Sequence, residues 1–447
     1  METEASWLAL IPAIVTIVTA LLSRRSLESL IAGTIAGMLL LEPSKALSEF
    51  SSLLLKVMME ETVAWVIIVV CLMGSLIHLL MKVGAANAFS KAIAARAKNK
   101  NSVLLYTWVL GLTIFIDDYL NALAVGSAMR KVSDKFGISR EMLAYVVDST
   151  AAPICILIPF STWAIFIAGL LEGSGYAESG QGMALFISAI PYMLYAWIAV
   201  LLVPLVATGI VPALGPMKTA QLNAMANHDR LTTQASDEEA KESQAKMYHF
   251  VLPVAILLGV TILSGLDVQL GVIVSVAATI LLYGLQRLMA WGEMFDTAME
   301  GMKSMVPALS IVVIAFMFAE VNDRLGLTLF ITQNVAPVLT PSLLPAVVFI
   351  TIAFVSFATG SAWGVFAAAL PIILPLAEAV DVDIAIAIGA LASASAFGSH
   401  ACFYSDATVL SSQGSGCGVI EHALTQFPYA LIAGILASIG LTLVVMF

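Results

Sequence analysis

Four carboxylates stand inside long apolar stretches of this chain: Asp117, Asp118, Asp148 and Asp406. An ionisable side chain at membrane depth costs on the order of 2.5–3.5 kcal/mol on insertion scales, so each calls for a chemical reason. The first two are adjacent, in Phe115-Ile116-Asp117-Asp118-Tyr119-Leu120-Asn121, the only break in an apolar run from about 102 to 129. Paired carboxylates can hold a small cation together with backbone carbonyls and the Asn121 side chain. Their mutual repulsion also favours exchange of a proton at one of them. Either aspartate could equally cap the helix that follows, and the two roles are compatible.

Asp148 opens Asp148-Ser149-Thr150-Ala151-Ala152-Pro153, and Pro159-Phe160-Ser161-Thr162 follows. Pro153 lacks a backbone donor and clashes with the preceding turn, leaving backbone groups that Ser149 and Thr150 can satisfy. A span broken in this way exposes carbonyls and hydroxyls suited to Na+. A proline kink alone needs no function; the carboxylate beside it, with no Lys or Arg nearby, favours an ion site. Asp117, Asp118 and Asp148 are therefore the expected Na+ ligands, with Asn121, Ser149, Thr150, Pro153, Ser161 and Thr162 around them.

A second pair of breaks lacks this density of charge. One reads Phe357-Ala358-Thr359-Gly360-Ser361-Ala362-Trp363-Gly364, small and flexible, opening into a helix whose first N–H groups could receive an anion or polar substrate. The other runs through Ser393, Ser395, Ser399 and His400 to Tyr404-Ser405-Asp406-Ala407-Thr408. Small residues such as Ser393 and Ser395 serve close helix packing as readily as binding. His400 and Asp406 together point to function. His78 and Glu320 are weaker candidates for a proton relay, being near their helix ends. Gly414-Ser415-Gly416-Cys417-Gly418 has no following Lys and is not a phosphate loop.

The elements that position these residues follow from composition. Of 447 residues, 60% are hydrophobic and 11% charged, and mean hydropathy is +0.99. Soluble domains carry roughly 25% charged residues, so a soluble enzyme and a disordered chain are both excluded. Continuous rather than alternating apolar runs argue against a β-barrel. The net charge of −10 argues against nucleic acid. Four scattered cysteines without CxxC spacing indicate neither a disulfide framework nor zinc. Met1-Glu2-Thr3-Glu4 lacks the basic start of a cleaved signal, so the first apolar segment is expected to be retained.

Apolar segments fall at about 7–22, 26–41, 62–81, 102–129, 141–171 and 182–208, then at 248–264, 268–285, 302–320, 342–379, 384–411 and 421–447. An offset of 242 residues superimposes the two series: Lys82-Val83-Gly84 falls on Arg324-Leu325-Gly326 and Phe115 on Phe357. The amphipathic stretches 45–60 and 85–98 fall on 288–301 and 326–340. Basic residues flank 102–129 on both sides, so both its ends belong inside under the positive-inside rule, which makes it a re-entrant hairpin. Its counterpart at 342–380 then has both ends outside. Threaded this way, 17 of the 20 basic residues are inside, and only Lys45, Lys56 and Arg324 are outside.

The expected architecture is an all-α polytopic membrane protein of two inverted-topology repeats. Each has five membrane spans plus one re-entrant helical hairpin, with broken helices at the midplane. Residues 1–210 form the first repeat (hairpin about 101–130, broken span about 141–171) and 211–247 a cytoplasmic linker. Residues 248–447 form the second (hairpin about 342–380, broken span about 384–411). Paired broken elements in inverted repeats are the signature of a secondary transporter.

The motifs at 115–119, 148–153, 359–364 and 404–408 resemble, in order, those of the NhaC-type sodium/proton antiporter family, part of the ion-transporter superfamily of inverted-repeat carriers. The resemblance spans both halves. It implies Asp117, Asp118, Asp148 and Asp406 as cation and proton ligands, Thr359 to Trp363 as the lining of the second half-site, and an elevator-like carrier, often a homodimer. Where such a family shows acidic or polar residues before the Ser-Asp motif, this chain has Gly398-Ser399-His400-Ala401-Cys402-Phe403. Similar-looking members carry organic acids or amino acids with Na+.

The leading expectation is Na+/H+ antiport by alternating access in the plasma (inner) membrane, with Na+ and H+ as coupling ions, the lipid bilayer as surroundings and no cofactor. The alternative is Na+- or H+-coupled transport of a small organic solute, a carboxylate or amino acid. A membrane hydrolase built on Ser399, His400 and Asp406 has no nucleophile elbow to support it. A channel fits paired hairpins less well than alternating access does.

Overall fold

In this computed structural model, residues 7–23, 25–94, 98–226, 244–265, 267–335 and 340–446 are described. The expected linker charges Arg230 and Lys241, and the basic residues Arg24 and Arg96, lie outside them. The described residues form helices and connecting turns, with no strand among them.

Among the described residues, seven helices are long and apolar enough to cross a membrane: Glu61–Lys82, Arg140–Gly173, Val268–Leu285, Trp291–Arg324, Ala362–Ala379, Ile384–Ala401 and Val419–Met446. The pair Gly182–Tyr192 and Leu194–Ala207, bent by 54°, makes an eighth if taken as one span. Shorter apolar helices occupy Trp7–Ala20, Leu27–Leu41, Tyr248–Leu263 and Leu344–Thr359. The 22-residue helix Glu61–Lys82 is about 33 Å long, matching a bilayer core.

Helix–turn–helix units stand at 100–135 and 344–379. The first has arms Lys100–Thr113 and Asp118–Lys135, the second Leu344–Thr359 and Ala362–Ala379. Asn99 starts the first arm with a reciprocal cap to Ser102, and Asp117 caps the returning arm. In the second, the chain turns at Gly360 (φ 69°), where a side chain would strain the left-handed backbone, and Ser361 caps the return.

Two helix boundaries fall at the sequence offset. Ser26 and Val268 begin helices 242 residues apart, and helices ending at Lys82 and Arg324, the same distance apart, each run into a glycine of positive φ. Charged loops gather in two groups. Lys56 pairs with Glu320 (3.2 Å) and Arg324 with Glu49 (3.6 Å). Lys56 and Glu320 border a cavity of about 550 Å³ shared with Tyr176 and Glu378. Apart from that group, Arg140 pairs with Asp134 (3.2 Å) and donates to Gly416 O (3.1 Å).

The start of the linker departs from the expected polar tether. Gly215–Ala226 is a helix whose Met217, Gln221 and Ala224 recur on one face and are buried. Gln221 accepts from Ser139 N and donates to Gly137 O (2.6 Å), so this segment docks on the first half.

One packing contact positions the site. The returning arm of the first hairpin lies against helix Asp406–Ser415 so closely that a Cβ on Gly414 would stand 2.5 Å from Ala122 O. Small residues permit that approach and so bring the first hairpin to the second broken span.

Candidate ion-binding site

At the first tip, Asp117 is buried and accepts from Tyr119 N and Leu120 N, both at 3.0 Å, through Oδ1. Its other oxygen accepts from Thr162 Oγ1 at 3.1 Å. Thr162 N also donates to Ile116 O (3.0 Å), and Cys155 Sγ to Phe115 O (3.2 Å), so the tip is clamped to the neighbouring broken span. Asp118 is buried beside it, and its Oδ1 and the Trp163 Nε1 both lack a hydrogen-bond partner. Asn121 donates to Gly111 O (2.8 Å) and Thr150 O (2.7 Å), tying hairpin to span, while its Oδ1 is left unpartnered. The capping role and a carboxylate-bearing tip therefore coexist.

The first broken span consists of Arg140–Ser149, Ala152–Leu157 and Thr162–Gly173. The break expected at Pro153 falls earlier, at Thr150 and Ala151, because Pro153 sits in the first turn of the next helix, where its missing donor costs nothing. Thr150 Oγ1 bonds Val146 O (2.8 Å), but Ser149 Oγ turns to His400 Nε2 (3.1 Å) instead of freed backbone. A second break precedes Ser161, which caps Ala164 N and donates to Cys155 O at 2.5 Å.

Asp148 stands apart from the tip. Its Oδ2 meets His422 Nε2 at 3.0 Å and Gln426 Nε2 at 2.8 Å, and all three side chains are buried. Gln426 also donates to His400 O, and His400 Nδ1 meets Tyr195 OH at 2.6 Å.

In the second half, Ser356 Oγ donates to Ser395 O (3.1 Å) and Tyr404 OH to Ala358 O (2.5 Å), clamping that tip in turn. Thr359 Oγ1 bonds Val355 O (2.9 Å), and Ser361 Oγ accepts from Gly364 N (3.4 Å). Ser405 donates to Ser399 O (2.6 Å) and caps Thr408 N (3.3 Å), repeating the arrangement of Ser161, while Thr408 Oγ1 donates to Cys402 O (2.7 Å). Ser393 accepts from Tyr195 N (3.3 Å), whereas Ser395 Oγ is buried without a partner. Trp363 packs against Trp163 in a tilted pair (ring centroids 4.7 Å apart) and edge-on against Phe166 (4.5 Å). The halves join where Tyr119 OH donates to Asp406 Oδ2 at 3.0 Å, with Asp406 on an exposed surface.

Asp117, Asp118, Asn121, Ser161 and Thr162 thus converge. Asp148 belongs to a separate cluster with His400, Ser149 and the last span. Among the described residues, no group of three or more His, Cys, Asp or Glu side chains gathers as a metal centre. His78 contacts Gly74 O (3.2 Å), and Glu320 is bound by Lys56 and Arg324.

Sequence reasoning overlooked His422, Gln426, Tyr195 and Trp163. A readable signal existed for the first two: they are four residues apart, on one face of an otherwise apolar 28-residue helix.

Residues 154–445 match the Na+/H+ antiporter family. The chain belongs to that family. The matched stretch contains Asp406 and the second half-site and begins just after Asp148. An uncharacterized protein of Haemophilus influenzae is 27% identical, over 98% of this chain and 91% of its own length. Among solved structures, the chain resembles MtrF of Neisseria gonorrhoeae, presented as illuminating a class of antimetabolite efflux pumps. That likeness has a TM-score of 0.60 at 14% identity, over 89% of this chain and 83% of that one. The YdaH transporter of Alcanivorax borkumensis gives 0.42 at 14% identity, over 86% and 87%. As a member of the Na+/H+ antiporter family, with its run of apolar helices, the chain is a multi-pass membrane protein and a secondary transporter rather than an enzyme.

Proposed function

We propose that this carrier exchanges Na+ for H+ across the plasma (inner) membrane by alternating access. The observation that carries the reading is the buried, carboxylate-bearing first half-site. Asp117 and Asp118 sit on a hairpin tip clamped to a doubly broken span that itself carries Asp148. Carboxylates held between helix breaks can bind Na+ with nearby carbonyls and hydroxyls or give way to protons. Each half is read as five spans and one re-entrant hairpin in inverted orientation, a reading favoured by the shared helix boundaries and the sorting of charged loops to two ends. Trp363 is engaged by Trp163 and Phe166 rather than presented to a cargo, which weighs toward an inorganic ion over an organic solute.

The test is counterflow in proteoliposomes. With an acid lumen, external 22Na+ should accumulate faster than at symmetrical pH, and preloaded Na+ should accelerate uptake, which a channel would not allow. Uptake indifferent to the pH gradient would overturn the reading.

A further inference from the structure

We propose that Asp148 and Gln426 form a Na+ site of their own, ligated by Asp148 Oδ1 and Gln426 Oε1. This rests on the antiport reading above and deepens it, giving the cargo ion a place on the last span apart from the hairpin tip.

The hydrogen bonds around Asp148 fix which atoms remain for an ion. Gln426 Nε2 donates to Asp148 Oδ2 at 2.8 Å and to His400 O, so both of its N–H groups are used. A flipped amide would turn Oε1 onto a carboxylate and a carbonyl, both acceptors, so the partners set its orientation. His422 Nε2 lies 3.0 Å from the same Oδ2 and is its second donor. Asp148 Oδ2 is thereby filled. Asp148 Oδ1 and Gln426 Oε1 are buried, and among the described residues no donor reaches either of them.

Both free oxygens are acceptors, on groups joined to each other through Oδ2 and Nε2. Burying such atoms unpaired is costly, most of all on a carboxylate. A small hard cation takes carboxylate and side-chain amide oxygens together, so one ion satisfies both. One carboxylate and one neutral amide carry a single negative charge. A monovalent cation balances it, whereas a divalent one would leave excess positive charge in a fully buried place.

The hairpin tip is built likewise but with a donor at hand. Asn121 uses both N–H groups on Gly111 O (2.8 Å) and Thr150 O (2.7 Å), leaving Oδ1 free one turn along from the free Asp118 Oδ1. There the Trp163 indole N–H, itself without a full hydrogen bond, interacts with Asp118. Around Asp148 the neighbouring donors are engaged: His400 is committed at both ring nitrogens, to Ser149 Oγ (3.1 Å) and Tyr195 OH (2.6 Å). The pair on the last span therefore depends on a cation more than the tip does.

The experiment measures Na+ itself. In purified carrier, 22Na+ binding should weaken about tenfold or more in Gln426→Met, which keeps the length of the side chain and removes its oxygen; partners outside a metal's ligand shell already cost that much when lost. Because Gln426 also orients Asp148, infrared difference spectra of protein with side-chain 13C-labelled glutamine distinguish a ligand from a support. Na+ should shift a glutamine carbonyl band in the wild type, and the shift should vanish in Gln426→Met. Unchanged affinity in that variant, or a wild-type band that Na+ leaves in place, would overturn the site. If Gln426→Met does not fold, the wild-type spectrum decides by the same criterion. Failure of antiport looks different: Na+ binding with the glutamine shift, but no Na+-driven pH change in proteoliposomes, would refute antiport and support the site.

Discussion

The two half-sites use one backbone device and opposite chemistry. Asp117 and Ser361 both cap the returning arm of a hairpin, and Ser161 and Ser405 both close a broken span onto a carbonyl six residues earlier. Yet the first carries Asp117 and Asp118 at its tip, where the second has Ser361 and Ala362. A helix N-terminus accepts a carboxylate or a hydroxyl as its cap, so folding alone does not choose between them. Burial of Asp117, Asp118 and Asp148 in the first half is therefore not dictated by capping alone, and the second half offers one exposed acid, Asp406, to the first.

The largest effect should come from neutralising the first half-site. Asp117→Asn and Asp148→Asn should each lower Na+-coupled proton flux by about 100-fold or more while the protein still reaches the membrane. Near wild-type flux in both would erase the contrast. Transposing the carboxylate, Asp117→Ser with Ser361→Asp, sharpens the comparison: the second tip has no counterpart of the Thr162 hydroxyl bond, and flux should stay as low as in Asp117→Ser alone. Recovery would mean that the tips are interchangeable. A smaller loss is expected at the joint between halves. Tyr119→Phe removes the bond to Asp406 and should cost about 1 kcal/mol, roughly a fivefold change in transport rate. Smallest is Ser361→Ala, which removes only a cap and should lower stability by about 1 kcal/mol in thermal unfolding while leaving Na+ affinity within a few-fold.

What the sequence revealed was local or periodic. The tip at Asp117-Asp118 was legible because charge interrupted an apolar run, and the second tip because the small residues Thr359-Gly360 stood at the matching offset. The segment pattern was equally open, since helix boundaries follow apolar length. Pairings across long separations were not. Asp148 meets residues 274 and 278 positions away, and neither His422 nor Gln426 forms a motif with it. The packing of Trp163 against Trp363 was hidden for the same reason. Pro153 misled slightly: a proline ends one helix but also suits the first turn of another, so its position marks a break only to within a few residues. The docking of Gly215–Ala226 was obscured by a polar composition in which three buried positions sufficed.

The most direct test of the central claim is lumen pH in proteoliposomes holding a trapped pH dye, challenged with external Na+ and no organic solute. The account predicts prompt alkalinisation in the wild type and none in Asp148→Asn. A lumen that stays at its starting pH until an organic solute is added would contradict it.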